Sequence, residues 1–76
     1  MTLKQNQFFI KKFREKRKFL LEYAESSLRN HTLSERAVQQ TFKVAHSQIE
    51  DFYNSPNPDA WLIRTLTIEI RNIQSG

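Results

Sequence analysis

The sequence predicts an all-α protein: a small three-helix antiparallel bundle that dimerises. Apolar residues recur at helical spacing in three stretches, two short turns separate these stretches, and the only glycine is the last residue, Gly76. A chain of 76 residues has apolar material for one core. We therefore expect a single helical domain over 1–76, with helices over about 5–28, 33–54 and 58–73.

The first helix, 5–28, carries its large apolar residues at spacings that bring them to one side. They are Phe9, Ile10, Phe13, Leu20, Leu21, Ala24 and Leu28. Thr2 and Gln5 have the spacing of a capping box, and Asn30 suits a left-handed C-cap. Arg17 falls within the apolar side, so we expect its charged end to reach past the core into water.

The second helix, 33–54, is predicted from a capping box formed by Thr32 and Glu35. Its apolar side comprises Val38, Phe42, Ala45, Ile49 and Phe52. Residues before a proline avoid the helical region, so the helix should end ahead of Pro56.

The third helix, 58–73, begins with Asn57 as N-cap, Pro58 in the first helical position and Asp59 near the positive end of the dipole. Leu62, Ile63, Leu66, Ile70 and Ile73 share one face. The alternation over 66–70 also suits a strand, but a lone strand would have no partner, so a helix is expected.

The composition argues against catalysis and against metal or cofactor binding. The chain has no cysteine, and without internal glycine it has no phosphate-binding loop. His31 and His46 are too far apart in sequence to be spaced as ligands, and no serine has an evident base. There is neither an apolar run of about 20 residues for a membrane span nor a signal-peptide core, so a cytoplasmic protein is expected.

Five apolar residues point away from the predicted core. Phe8, Phe19 and Tyr23 do so on the first helix, and Trp61 and Ile68 do so on the third. Either the core wraps round them, or they form a protein interface, most simply that of a homodimer. The interface interpretation predicts a non-enzymatic helical protein that regulates or assembles a partner protein.

The basic N-terminal third offers an alternative, nucleic-acid binding. Residues 1–18 carry seven basic side chains and one acidic side chain, a net charge of +6, whereas the remainder carries −2. The candidate phosphate contacts are Lys11, Lys12, Lys16, Arg17 and Lys18. These side chains point in several directions, which argues against one continuous surface. Attachment of this helix to a membrane surface ranks third, because its apolar face is needed for the core.

A helix-turn-helix motif is a further possibility for nucleic-acid binding, with its turn near Lys43. The apolar spacing from Val38 to Phe52 fits that motif. However, Glu50 and Asp51 would then lie on the reading helix and repel phosphates. An uninterrupted helix over 33–54 explains the same spacing better.

A few residues resemble known small helical regulators. A helix opening after Leu33 and Ser34, followed by Phe42, Ala45 and a late Trp61 behind a proline turn, is similar to the Hha/YmoA-type regulators, which bind a nucleoid protein. The second helix and its proline-linked successor also resemble the helical hairpin of Sda-type kinase inhibitors. These common residues do not assign the chain to either family. They imply only that helical domains of this size often act as protein-binding regulators.

Overall fold

The computed structural model describes residues 1–76 and contains four helices and no strand. The helices are α1 (Leu3–Leu28), α2 (His31–Ser47), α3 (Ile49–Tyr53) and α4 (Pro58–Ser75). The all-α prediction is confirmed, and residues 66–70 are helical. The number of helices is corrected from three to four. None of them has an apolar stretch long enough to cross a bilayer.

The fourth helix arises because the predicted helix over 33–54 is interrupted at Gln48. This residue has φ −114° and ψ 42°, and its N–H still donates to the Val44 carbonyl. Neither glycine nor proline lies nearby, so the interruption has no local cause in the sequence. It turns Phe52 on α3 into the space between α1 and α4, where Phe52 is fully buried. The chain runs on helically through Lys43, which excludes a helix-turn-helix with its turn there.

The turn between α1 and α2 is made by two residues whose roles differ from those predicted. Arg29, not Asn30, adopts the left-handed conformation, with φ 52°. Asn30 is instead the N-cap of α2, and its Oδ1 accepts a hydrogen bond from the Leu33 N–H at 2.9 Å. The predicted capping box is therefore wrong, since Thr32 already lies inside the helix.

The other two predicted helix starts are confirmed. At α1, the Gln5 N–H donates to Thr2 Oγ1 at 3.1 Å and the Thr2 N–H donates to Gln5 Oε1 at 2.9 Å, a complete capping box. At α4, Asn57 Oδ1 accepts from the Ala60 N–H at 3.1 Å, and Pro58 is the first helical residue.

The core lies where α1, α2 and α4 contact one another. Its buried apolar residues are Leu20, Ala24, Ala37, Val38, Phe42, Ala45, Phe52, Leu62, Leu66 and Ile70. Ser34 and Thr41 are also fully buried on α2, and each hydroxyl donates to the backbone carbonyl four residues earlier, at 2.7 and 2.8 Å. Small residues on α2 thus allow close helix packing without leaving a buried polar atom unsatisfied.

Candidate protein-binding surfaces

The apolar side of α1 is only partly covered by the rest of the molecule. At about 1.5 Å per residue, its 26 residues extend for about 39 Å, against about 26 Å for α2 and 27 Å for α4. Five large apolar side chains of α1 remain exposed: Leu3, Ile10, Phe13, Phe19 and Tyr23. Phe13 lies on one side of α1, and Phe19 with Tyr23 lies on another, so these residues form two separate candidate binding surfaces.

Two of the five predicted interface residues lie against the core instead. The half-buried Phe8 ring has its centroid 5.1 Å from that of Phe52, and the half-buried Trp61 ring lies 4.9 Å from Phe52 on the other side. Phe8 also meets Tyr53 edge to face at 5.2 Å. The sequence could not show this, because Phe52 reaches these rings only through the interruption at Gln48.

The other three predicted interface residues are exposed, and two of them flank the contact between α1 and α4. Phe19 and Tyr23 are one turn apart and follow Lys12 at intervals of seven and eleven residues, so they lie on the side of α1 that faces α4. We call Phe19 and Tyr23 the seam patch. Ile68, 54% exposed, lies on α4 opposite the buried Leu66 and is not part of it.

A groove with an aromatic floor runs between α1 and α2. The Phe13 and Phe42 rings meet edge to face, with centroids 4.9 Å apart, and Phe9 meets Phe42 at 6.2 Å. Gln39, Lys43 and His46 complete the walls of this open cavity of about 430 Å³. It continues into a narrower section of about 130 Å³, lined by Phe13, Arg17, Leu21, Glu35, Val38, Gln39 and Phe42. We call the two sections the α1–α2 groove.

Sequence reasoning missed this groove because it placed Phe9 and Phe13 in the core. Both residues do lie on the core side of α1. However, the apolar residues of α1 that are buried are Leu20 and Ala24, which lie further along the helix. Phe13 remains 38% exposed. The position of Arg17 within the same row was the available signal, since a charged residue there requires access to water. The side chain of Arg17 is exposed and forms no ion pair, as expected.

The basic cluster is divided by the fold into paired and unpaired side chains. Lys12 Nζ lies 2.9 Å from Asp59 Oδ1, and Lys16 Nζ lies 3.1 Å from Asp59 Oδ2. The hydrogen bond from Lys12 is the main cause that lowers the pKa of the Asp59 carboxyl below its ordinary value, and the bond from Lys16 adds to it. Two of the five candidate phosphate contacts are therefore already engaged within the molecule, by a single carboxylate.

The remaining basic side chains of this cluster face outward. Lys11 and Lys18 are exposed, seven residues apart on one face of α1, and Arg14 lies between them in the same row. None of the three forms an ion pair. The outer face of α1 is thus cationic, and Arg17 lies between this face and the α1–α2 groove.

An ionic contact joins the two ends of the α1–α2 turn. His31 donates through Nδ1 to the Glu25 carboxylate on α1 and through Nε2 to Glu35 Oε1 at 2.9 Å on α2. The hydrogen bond to Glu25 and the charge of Glu35 raise the pKa of His31 above its ordinary value. His31 is exposed, so this contact between α1 and α2 lies on the surface of the molecule.

No group of three or more acidic or histidine side chains is arranged to hold a metal ion. Comparison with known proteins gives no match to any family model, curated protein or solved structure.

Proposed function

We propose that this protein is a non-enzymatic helical protein that acts by binding another protein and that also self-associates. The observation that supports this function is the exposure of five large apolar side chains on α1, although the chain has a well-packed core to receive such residues. Leaving these side chains in water forgoes about 25 cal/mol for each Å² of apolar surface that a partner would cover. A partner protein provides that cover.

The seam patch is the proposed contact for self-association. In a two-fold dimer each copy uses the same surface, so Phe19 of one subunit would lie near Phe19 and Tyr23 of the other. Ile68, the third exposed residue of the predicted interface, lies on the face of α4 away from the core and is not part of this contact. Phe8 and Trp61 pack against Phe52 and contribute no exposed ring to this contact.

Sedimentation velocity over a range of protein concentrations tests self-association. We expect a concentration-dependent shift from monomer to dimer that the double variant Phe19→Ser, Tyr23→Ser abolishes while the helical circular dichroism is retained. Phe13→Ser is the matched control, because it removes an exposed ring from a different side of α1. A monomer at every concentration, or equal loss of dimer in both variants, would reject the dimer. Trp61→Ala is a poor test because Trp61 supports Phe52.

Nucleic-acid binding is the second candidate function, and the unpaired row of Lys11, Arg14 and Lys18 favours it. With Arg17 added, about four cations would give a slope of roughly −3 to −4 in log affinity against log salt. The double variant Lys11→Glu, Lys18→Glu should abolish such binding. No mobility shift of DNA or RNA at low salt would eliminate this function.

A further inference from the structure

We infer that the α1–α2 groove binds an acidic amphipathic helix of about three turns that belongs to a partner protein. The inference rests on the proposed function, since it names the kind of protein that is bound. It depends on three properties of the groove: its length, its aromatic floor and the charge along its edges.

The length of the groove sets the length of the occupant. On α1 the lining residues run from Phe9 to Leu21, and on α2 they run from Glu35 to His46. At about 1.5 Å per residue these rows extend for about 17–18 Å, which is the length of about three helical turns. A channel between two roughly parallel rows of side chains suits a third helix laid along it.

The floor selects for apolar side chains on one face of that helix. Phe9, Phe13 and Phe42 present ring faces and edges to the open section, and Val38 and Leu21 continue the apolar floor in the narrow section. Rings held edge to face are already ordered, so little side-chain freedom is lost when a ligand covers them. Large apolar residues of the occupant at i, i+4 and i+7 would meet this floor.

The charged residues at the edges of the groove favour acidic residues beside the apolar face of the bound helix. Arg17 lies at the α1 edge of the groove and Lys43 lies at the α2 edge, and neither is in an ion pair. The only carboxylate in the lining is Glu35, and His31 already engages it at 2.9 Å. The local charge is therefore positive, and carboxylates of the occupant complement it.

A second copy of this chain does not fit the groove. The exposed face of its α1 is basic and would be repelled by Arg17 and Lys43. Its acidic pair, Glu50 and Asp51, lies on a five-residue helix whose large apolar residue, Phe52, is fully buried. The apolar faces of α2 and α4 are covered within the molecule. The occupant therefore comes from a different protein.

The test uses three synthetic peptides of about three turns, each held helical by a side-chain link because short helices are marginal in water. The first has leucines at i, i+4 and i+7 with flanking glutamates. The second replaces every glutamate by lysine, and the third keeps the composition of the first but scatters the leucines round the helix. Each is titrated into the isotope-labelled full chain by NMR, and backbone amide shifts report the site.

We expect the acidic amphipathic peptide to shift the amides of residues 9–13 and 39–46 and to bind at least about tenfold more tightly than either of the others, a difference of about 1.4 kcal/mol. The double variant Arg17→Glu, Lys43→Glu should reverse the preference in favour of the basic peptide. Phe13→Ser should weaken the binding of the acidic peptide by removing part of the floor.

The matched control is Lys11→Glu, Lys18→Glu, which changes the net charge by the same amount on the outer face of α1. Equal loss of acidic-peptide binding in both double variants would show general charge attraction and overturn the inference. So would equal affinity for all three peptides, or shifts confined to residues outside the groove. If the groove binds no peptide while Phe19 and Tyr23 still control self-association, the inference fails and the proposed function stands.

Discussion

Phe52 is the side chain that joins the short α3 to the rest of the core. It is fully buried and touches Phe8 on α1 and Trp61 on α4. For 76 residues a total free energy of unfolding of about 4–11 kcal/mol is typical. The stability that is lost when this one ring is removed is therefore a large fraction of that total.

The variant Phe52→Ala should lower the free energy of unfolding by about 3–5 kcal/mol, because it leaves a cavity among three helices. Urea denaturation followed by circular dichroism measures this change. The exposed Ile68→Ala is the control and should change stability by less than about 0.5 kcal/mol. A Phe52→Ala protein as stable as this control would contradict the described core.

His31 should give the stability of the α1–α2 turn a pH dependence. Its pKa in the folded chain is raised above the ordinary value of 6.5 by the hydrogen bond to Glu25 and the charge of Glu35. Its contribution is thus present in full below pH 6.5 and is lost as the pH rises through the folded-state pKa. NMR titration of the ring protons should show the raised pKa, and Glu25→Gln should return it towards 6.5. An unchanged pKa in that variant would refute the contact.

At the scale of the helices, Asn30 and Thr32 provide a direct test of which side chain caps α2. Asn30→Ala should destabilise the protein by about 0.5–2 kcal/mol, because the Leu33 N–H loses its acceptor. Thr32→Ala is the matched control and should have almost no effect, since Thr32 lies within the helix. The reverse order of the two effects in thermal or chemical unfolding would restore the capping box predicted from sequence.

The contact of Lys12 and Lys16 with Asp59 attaches α1 to the start of α4. Because the Asp59 side chain is 43% exposed, Asp59→Asn should cost only about 0.2–1 kcal/mol. The pKa of Asp59 is lowered, so its contribution is present above its ordinary value of 3.8 and is lost as the pH falls through the folded-state pKa. The free energy of unfolding should therefore fall less in the variant than in the wild type as the pH is lowered. An identical acid transition would mean that the pair adds no stability.

Helix positions could be predicted from the sequence wherever a local signal defined them. Apolar spacing and the caps at Thr2 and Asn57 placed α1 and α4 to within a few residues. The interruption at Gln48 could not be predicted, because neither glycine nor proline lies beside it. The groove could not be predicted either. Periodicity identifies the apolar side of a helix, but it does not show how much of that side the neighbouring helices cover.

At the scale of the whole molecule, the small size of the domain explains why apolar side chains of α1 remain exposed. A small domain buries a limited share of its surface, and here α2 and α4 are each shorter than the helix they cover. The exposed side chains of α1 lie in the α1–α2 groove on one side and in the seam patch on another. Phe13 and Phe19 are six residues apart and point to different sides of α1. Two proteins could therefore bind at the same time, one at the α1–α2 groove and one at the seam patch.

The most direct test of protein binding by α1 is affinity capture from a nuclease-treated extract of cells that express the protein. The wild-type chain should retain a defined protein after nuclease treatment. The triple variant Phe13→Ser, Phe19→Ser, Tyr23→Ser should lose at least about nine-tenths of it, a change of about 1.4 kcal/mol or more. The helical circular dichroism of the variant should be unchanged. Capture that disappears with nuclease, or that the variant leaves intact, would contradict the proposal that the exposed rings of α1 bind a protein.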